Sequence, residues 1–280
     1  VNARWEVSAR YPGALATLGE VWQYRRLLGF IGDRALRKMY RRTVLGWLWL
    51  FINPLFPIAL RALIFGGLLG VSSNGLPYFL FLLAGTVVWD TFANSLMWGT
   101  RSLEMNRDLT DQIYHPRAIL PLGNMTPALL NMALKVGVFA VALIFYTVRD
   151  GRVYLRTDLG PLWAFTALAV ALLLALAISF FTAIWGETAR DIRFGLGQLL
   201  SVWYLLTPVL YPLSQVPEQH RGWMLLNPLA IIVETFKWGL FGVGELYRDQ
   251  FAATTAAVLV LICIGLTYFA RAEARTIAAR

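Results

Sequence analysis

Charge is scarce in this sequence: Asp, Glu, Lys and Arg make up 15% of its residues, where soluble domains carry about a quarter. Apolar residues are 58% of the chain and the mean hydropathy is +0.58, which is more apolar surface than a soluble fold can hide. Cysteine is nearly absent. The single Cys263 and the two histidines, His115 and His220, lie far apart in sequence, which excludes a disulfide framework and a His/Cys metal site. Only three lysines occur, Lys38, Lys135 and Lys237, and none closes a GxxxxGK[ST] loop, so a phosphate-cradling ATPase motif is excluded. Buried carboxylates are almost missing too. Only Asp90 lies well inside an apolar run, which argues against a proton- or sodium-coupled carrier. Internal repeats, low-complexity tracts and long linkers are lacking, as is a cleavable signal peptide before the first long apolar run, so one membrane domain is expected.

What is present is a set of apolar runs long enough to cross a hydrocarbon layer of about 30 Å. Those at 161–185, 194–213 and 251–270 are uncharged; 76–99 carries Asp90, 46–70 carries Arg61 and 122–147 carries Lys135. Together they predict an all-α integral membrane fold of six transmembrane helices. A further apolar stretch, 224–244, holds Glu234 and Lys237 and is interrupted by Pro228, Gly239, Gly242 and Gly244. Loop charge decides its status. With six crossings and cytoplasmic termini, the inner face holds 17 Lys/Arg and the outer face 6, the expected bias. A seventh crossing would place Arg271, Arg275 and Arg280 outside, so 214–244 reads as a re-entrant or interfacial element at the outer face. The net charge of +9 sits mainly on the inner side, where anionic headgroups neutralise it; nucleic acid is not the expected partner.

Along the chain, residues 1–45 form a cytoplasmic segment and 46–280 the membrane domain. Within the former, 22–42 sets Tyr24, Leu27, Leu28, Ile31, Ala35 and Met39 at helical spacing against a basic face, the pattern of an amphipathic helix at the membrane interface. Asn53-Pro54 and Pro57 predict a kink in the first span. A Ser-Asn-Gly turn at 72–75 joins it to the second. Residues 100–117 are the most polar internal loop, mixing Glu104, Arg107, Asp108 and Asp111 in a short helix ended before Pro116; it is either a solvated loop or a docking surface for a soluble partner.

Arg61 and Lys135 raise a sharper question, because a cation at a helix centre costs roughly 2.5–3.5 kcal/mol on insertion scales. Either they snorkel to headgroups, or they face the bundle interior with Asp90 and offer charge to a polar substrate. Aromatic residues present the same choice. Trp47, Trp49, Tyr78, Trp89, Phe92, Trp98, Trp203, Tyr204, Tyr211, Trp223 and Trp238 stand mostly near span ends, as an interfacial belt does, or line a path on which the C–H faces of sugars slide.

Four segments in order carry a likeness to a known family: LGWLWLFINPLFPI (45–58), PYFLFLLAGTVVWDTFANSL (77–96), HPRAILPLGNM (115–125) and the run from Arg190 to Gly242. With these the chain resembles the ABC-2 type permeases that export lipid-linked polysaccharides, such as O-antigen and teichoic-acid exporters. The resemblance implies a six-helix half-transporter in a bacterial plasma membrane. It would form a homodimer and pair with two copies of a separate ATP-binding cassette subunit, which would hold the ATP and Mg2+; no cofactor is expected in this chain, and no catalysis. It further implies a coupling helix over 104–113, with Glu104, Arg107, Asp108 and Asp111 facing the ATPase. Short outer gate helices over 214–244 would follow, with Pro208, Tyr211, Trp223, Asn227 and Pro228 in the gate. The Arg190-Asp191 pair matches the loop between the fourth and fifth spans, while Arg61 departs from the family's apolar first span. A substrate path is expected at Arg61, Trp89, Asp90, Phe92 and Tyr204. The segment VWYLLTPVLYPLSQVPEQHRGW is similar to actinobacterial permeases for cell-wall galactan, which names one substrate. The rivals are an ABC-2 exporter of a small lipid or drug and a membrane-bound lipid-linked sugar transferase; the latter needs a metal-holding acidic cluster, to which Glu104, Asp108 and Asp111 are the nearest approach.

Overall fold

The computed structural model describes residues 19, 23–40, 48–112 and 115–278, with the side chains of 39–40, 49–51, 53–54, 111–112 and 273–278 left aside. Trp47 and Ile113 therefore lie outside the described residues, as do the side chains of Trp49 and Asp111. The described residues form an all-helical fold: α1 (Arg25–Tyr40), α2 (Trp49–Arg61), α3 (Tyr78–Thr100), the short α4 (Ser102–Met105) and α5 (Arg107–Gln112), α6 (Ile119–Asn124), α7 (Thr126–Asp150), α8 (Gly160–Thr188), α9 (Arg190–Leu205), α10 (Glu218–Leu225), α11 (Pro228–Phe241) and α12 (Arg248–Ala278).

Four continuous stretches are long and apolar enough to cross a membrane: Tyr78–Thr100, Ile119–Asp150, Gly160–Thr188 and Arg248–Ala272. They coincide with four of the six expected spans. The other two are irregular, for reasons visible in the chain. The first runs through Pro54 and Pro57 as α2, then loosens into a π-helix at Ala62–Leu68, a widening that inserts extra backbone into a helix. The fifth ends as α9 at Leu205, not at 213 as the apolar run suggested. At 16 residues it spans only about 24 Å, because Pro208 disfavours helix at the residue before it and Pro212 cannot donate. The expected re-entrant stretch consists of α10 and α11, bent against each other by 101°.

α8 is the hub, packed on α3, α11 and α12. In lipid, apolar side chains gain little by leaving one hydrocarbon environment for another, so close backbone approach and polar links must hold helices together. α8 supplies both. Gly160, Ala164, Ala167, Ala171 and Ala175 form a buried small-residue stripe, and where it meets α11 a Cβ added at Gly239 would stand 2.7 Å from the Ala164 nitrogen. Thr100 and Thr182 hydroxyls share a hydrogen bond of 2.6 Å between α3 and α8. At the basic end, α1 lies across α6. Ile31 and Ala35 of its apolar stripe are buried, and Gly32 and Gly123 let the helices approach closely; the stripe thus faces this chain's own α6 and α7, leaving Phe30 exposed. At the opposite end, Asn74 and Gly75 take left-handed backbone angles of 54° and 81°, as the Ser-Asn-Gly turn requires.

Candidate functional site

Residues 207–213, between α9 and α10, interrupt the helical run and pack inside the bundle. Thr207, Pro208, Val209 and Leu210 are all buried, and Val209 lies so close to α3 that a Cβ on Gly85 would come within 3.2 Å of its Cα. Gly85 lies seven residues into α3 from Tyr78, roughly 10 Å along the helix, so this non-helical backbone runs at membrane depth. Such backbone survives there only if the protein itself satisfies its polar groups. Four side chains do so, Tyr211 from the segment itself and the others from α3 and α11 with its N-cap. The Tyr211 hydroxyl donates to the Leu205 carbonyl at 3.0 Å, Asn227 Nδ2 to Leu206 at 3.2 Å, Lys237 Nζ to Pro208 at 2.6 Å and the Tyr78 hydroxyl to Leu210 at 2.7 Å.

Asn227 is the keystone of this region. Its Oδ1 accepts from the Leu229 amide and from Trp203 Nε1, each at 3.0 Å, while Nδ2 also donates to Thr207 Oγ1 at 3.1 Å. All four of its hydrogen-bonding positions are thus used. It is the N-cap of α11 with Pro228 in the first turn, a combination that starts a helix at a defined residue. Of the residues assigned to the gate, Pro208, Tyr211, Asn227 and Pro228 gather here, whereas Trp223 stands on α10 with 74% exposure. Arg221 pins the preceding turn, donating to the Ser214 and Val216 carbonyls, and Ser214 reaches Asn74 of the first hairpin.

Of the five residues expected along a substrate path, Arg61, Trp89, Phe92 and Tyr204 form one connected patch, and Asp90 pairs with Lys135. The Tyr204 ring meets Trp89 edge-on at 5.3 Å, Trp89 contacts Phe92 at 6.0 Å, and Phe92 contacts Trp203 at 5.4 Å. The Arg61 guanidinium lies over Tyr204, 5.0 Å from its centroid. Arg61, Asp90 and Tyr204 are part-exposed, while Trp89 and Phe92 are buried. Lys135 turns inward rather than snorkelling: it is 4% exposed and ion-paired with Asp90 across α7 and α3. That pairing offsets the cost each charge would carry alone at this depth.

At the basic end the polar loop is two helices instead of one. The break falls at Asn106, whose Nδ2 bonds back to the Ser102 carbonyl at 2.9 Å. Glu104 pairs with Arg193 of α9, Asp108 with Arg34 of α1 at 3.1 Å, and Lys38 donates to the Met105 carbonyl at 2.6 Å. Burial, reinforced by the Arg34 cation, lowers the pKa of Lys38, with Asp108 opposing. Arg107 and Asp108 remain exposed, and Arg107 reaches the Glu187 carbonyl at 3.4 Å. The loop is therefore strapped to α1, α9 and the end of α8 while presenting a charged outer face.

Sequence reasoning missed three residues. The sequence offers Tyr78 as a belt or path aromatic, and Glu234 and Lys237 as charges in an interrupted apolar run, with no hydrogen-bonding role for any of the three. A signal for Lys237 was available: the helical partner of the Pro208 carbonyl would be the nitrogen of Pro212, which bears no hydrogen, so that carbonyl needs a donor from elsewhere.

The family model described as ABC-2 type transporter matches residues 26–241. The chain is 29% identical over 224 residues to the O-antigen export system permease protein RfbA of Myxococcus xanthus, covering 78% of this chain and 81% of that protein. It is 24% identical over 247 residues to the polysialic acid transport protein KpsM of Escherichia coli, covering 86% and 91%. It is also 24% identical over 254 residues to the capsule polysaccharide export inner-membrane protein CtrC of Neisseria meningitidis serogroup A, covering 88% and 91%.

Proposed function

The chain belongs to the ABC-2 type transporter family, and from that premise we propose that it is the membrane permease of a polysaccharide export system in a bacterial plasma membrane. O-antigen, polysialic acid and capsule polysaccharide are the cargoes named for three of its relatives, and each of those relatives aligns over most of its length. The observation that carries the mechanism is the side-chain-capped break between α9 and α11, a structure that a plain membrane anchor has no need to build.

In this reading α2 with its π-turn and α9 complete a set of six crossings, with both termini cytoplasmic. Two copies of the chain pair, and two copies of a separate ATP-binding subunit dock on the face of α4 and α5 that presents Arg107 and Asp108, with Glu104 and Asp111 in the same coupling segment. The lipid-linked glycan enters at the inner leaflet near the basic face of α1. ATP hydrolysis in the partner moves α4 and α5, and their straps to α1 and α9 through Asp108 and Glu104 pass that motion into the bundle. The glycan passes Arg61, Asp90 and Tyr204 with the aromatic patch behind them, and leaves where 214–244, with Pro208 and Tyr211 before it, seals the outer side. Cell-wall galactan is the substrate we favour, on the likeness of residues 202–223 to galactan permeases.

The test is reconstitution. Vesicles holding this chain and its ATP-binding partner should move lipid-linked glycan across the bilayer only with ATP, and disruption of 104–113 should abolish movement while the complex still assembles. Movement without ATP or without the partner sinks the reading, as does glycan synthesis by this chain alone.

A further inference from the structure

α11 carries two charges that the transport mechanism above does not use. Lys237 is 1% exposed and Glu234 is 4% exposed, and their spacing of three places them on one helix face. The Lys237 ammonium sits 2.6 Å from the Pro208 carbonyl and 3.6 Å from the centre of the Phe81 ring on α3, and its stem passes the bare backbone of Gly85. The Glu234 carboxylate lies beside the Leu213 amide and close against Gly244, where a Cβ would stand 3.0 Å from Oε2. One pair of side chains therefore reaches both ends of the non-helical segment 208–213. The Pro208 carbonyl in particular has no helical donor, because Pro212 lacks an N–H.

We infer that Lys237 and Glu234 are positioning residues that latch the 208–213 segment to α11 and α3, and so set the resting seal of the outer gate. The inference rests on reading 214–244, together with Pro208 and Tyr211, as that gate. Its physical basis is the kind of contact involved. A packed methyl contact loses its partner outright when surfaces part, but an ammonium released from a carbonyl rebinds water or a sugar hydroxyl as the gap opens. Lys237 thus holds the closed state by a bond that can be exchanged, and Gly85 leaves room for the lysine and for Val209 on the α3 side.

The experiment uses the assembled complex with its ATP-binding partner in phosphatidylethanolamine–phosphatidylglycerol vesicles loaded with a self-quenching dye, without ATP or glycan. Lys237→Met keeps the volume of the stem and removes the bond; dye leak should rise roughly tenfold, the population change expected from losing one charge-assisted hydrogen bond, with ATPase activity of the complex retained. The double variant Glu234→Gln with Lys237→Met removes the buried charge imbalance but not the lost tether, so its leak should stay high. A double variant that reseals overturns the inference, because charge balance and not the tether would then be the cause. Should Lys237→Met fail to assemble, the double variant and Gly85→Ala decide. The added methyl of the latter crowds Val209 and the lysine stem, and should also raise leak. Assembled variants that all leak like the parent overturn the latch. Because leak is read without ATP or cargo, and ATPase activity in a separate assay, a failure to move glycan leaves the leak result interpretable.

Discussion

The α8 hub and the break between α9 and α11 are held together in opposite ways. Along α8, glycine and alanine bring backbones into contact with α11, α3 and α12, and no single bond dominates. In the break, the Leu205, Leu206, Pro208 and Leu210 carbonyls are each met by one named side chain. The first kind of contact depends on shape and resists change at any point along its length. The second depends on direction and fails bond by bond. A transporter that must stay folded while one part moves needs both kinds, in separate places.

Substitutions should separate the two regions. The largest effect is expected for Gly239→Leu, whose side chain would start 2.7 Å from the Ala164 nitrogen and 2.8 Å from the Gly160 carbonyl. Overpacking of this sort costs about 3 kcal/mol or more, so thermal unfolding in detergent should show outright loss of folded protein. Next comes Asp90→Asn, which strands Lys135. Breaking a buried pair costs about 3 kcal/mol, at the lower end here because the Asp90 side chain retains 27% exposure. Adding Lys135→Met should restore most of the lost stability, and a double variant no better than the single would show that the pair is not what holds α3 to α7.

Asn227→Ala should behave differently from both. Loss of an N-cap costs about 1 kcal/mol, but here the Leu206 carbonyl and Trp203 Nε1 also lose their partner. The protein should assemble with a modest drop in stability and a leaky resting state; a global collapse like that of Gly239→Leu would erase the distinction between the regions. The smallest effect concerns the turn before α8. The hydrogen-bonded Arg156 guanidinium, with the Gly160 amide, holds the Asp158 carboxyl below its ordinary pKa. A depressed native value means that its contribution is fully present above the ordinary carboxylate range and is lost as pH falls through the depressed value. Unfolding midpoints followed into acid should show a slight extra loss in the parent that Asp158→Asn lacks.

Hydropathy was enough to locate four helices long enough to cross a membrane, the basic amphipathic helix and the interrupted character of 214–244, which the structure bends by 101° between α10 and α11, because these depend on composition along the chain. The spans that diverged did so where local backbone chemistry overrode hydropathy. Residues 206–213 carry no charge and continue the apolar run, yet Pro208 and Pro212 end the helix at Leu205. The set Arg61, Asp90 and Lys135 was recognisable, but which cation takes Asp90 depends on the rotation of α3 against α7, which a linear pattern does not carry. Lys237 reads in the sequence only as a charge in an interrupted apolar run; its partner, a carbonyl 29 residues earlier in the chain, emerges only when the segment folds back.

The shortness of α9 also bears on how the protein is made. A segment of 16 residues beginning with Arg190, Asp191 and Arg193 and carrying Gln198 and Ser201 offers the translocation machinery a poor stop signal, since it covers only about 24 of some 30 Å. If α9 crosses the membrane as proposed, its insertion leans on α8, already embedded as it emerges, and on Tyr211 and Asn227 arriving afterwards to meet the Leu205 and Leu206 carbonyls. A nascent chain halted after Leu205 should slip in and out of the bilayer, while one extended past Phe241 should hold. Topology in this half of the protein is thus settled late in synthesis, by tertiary contact.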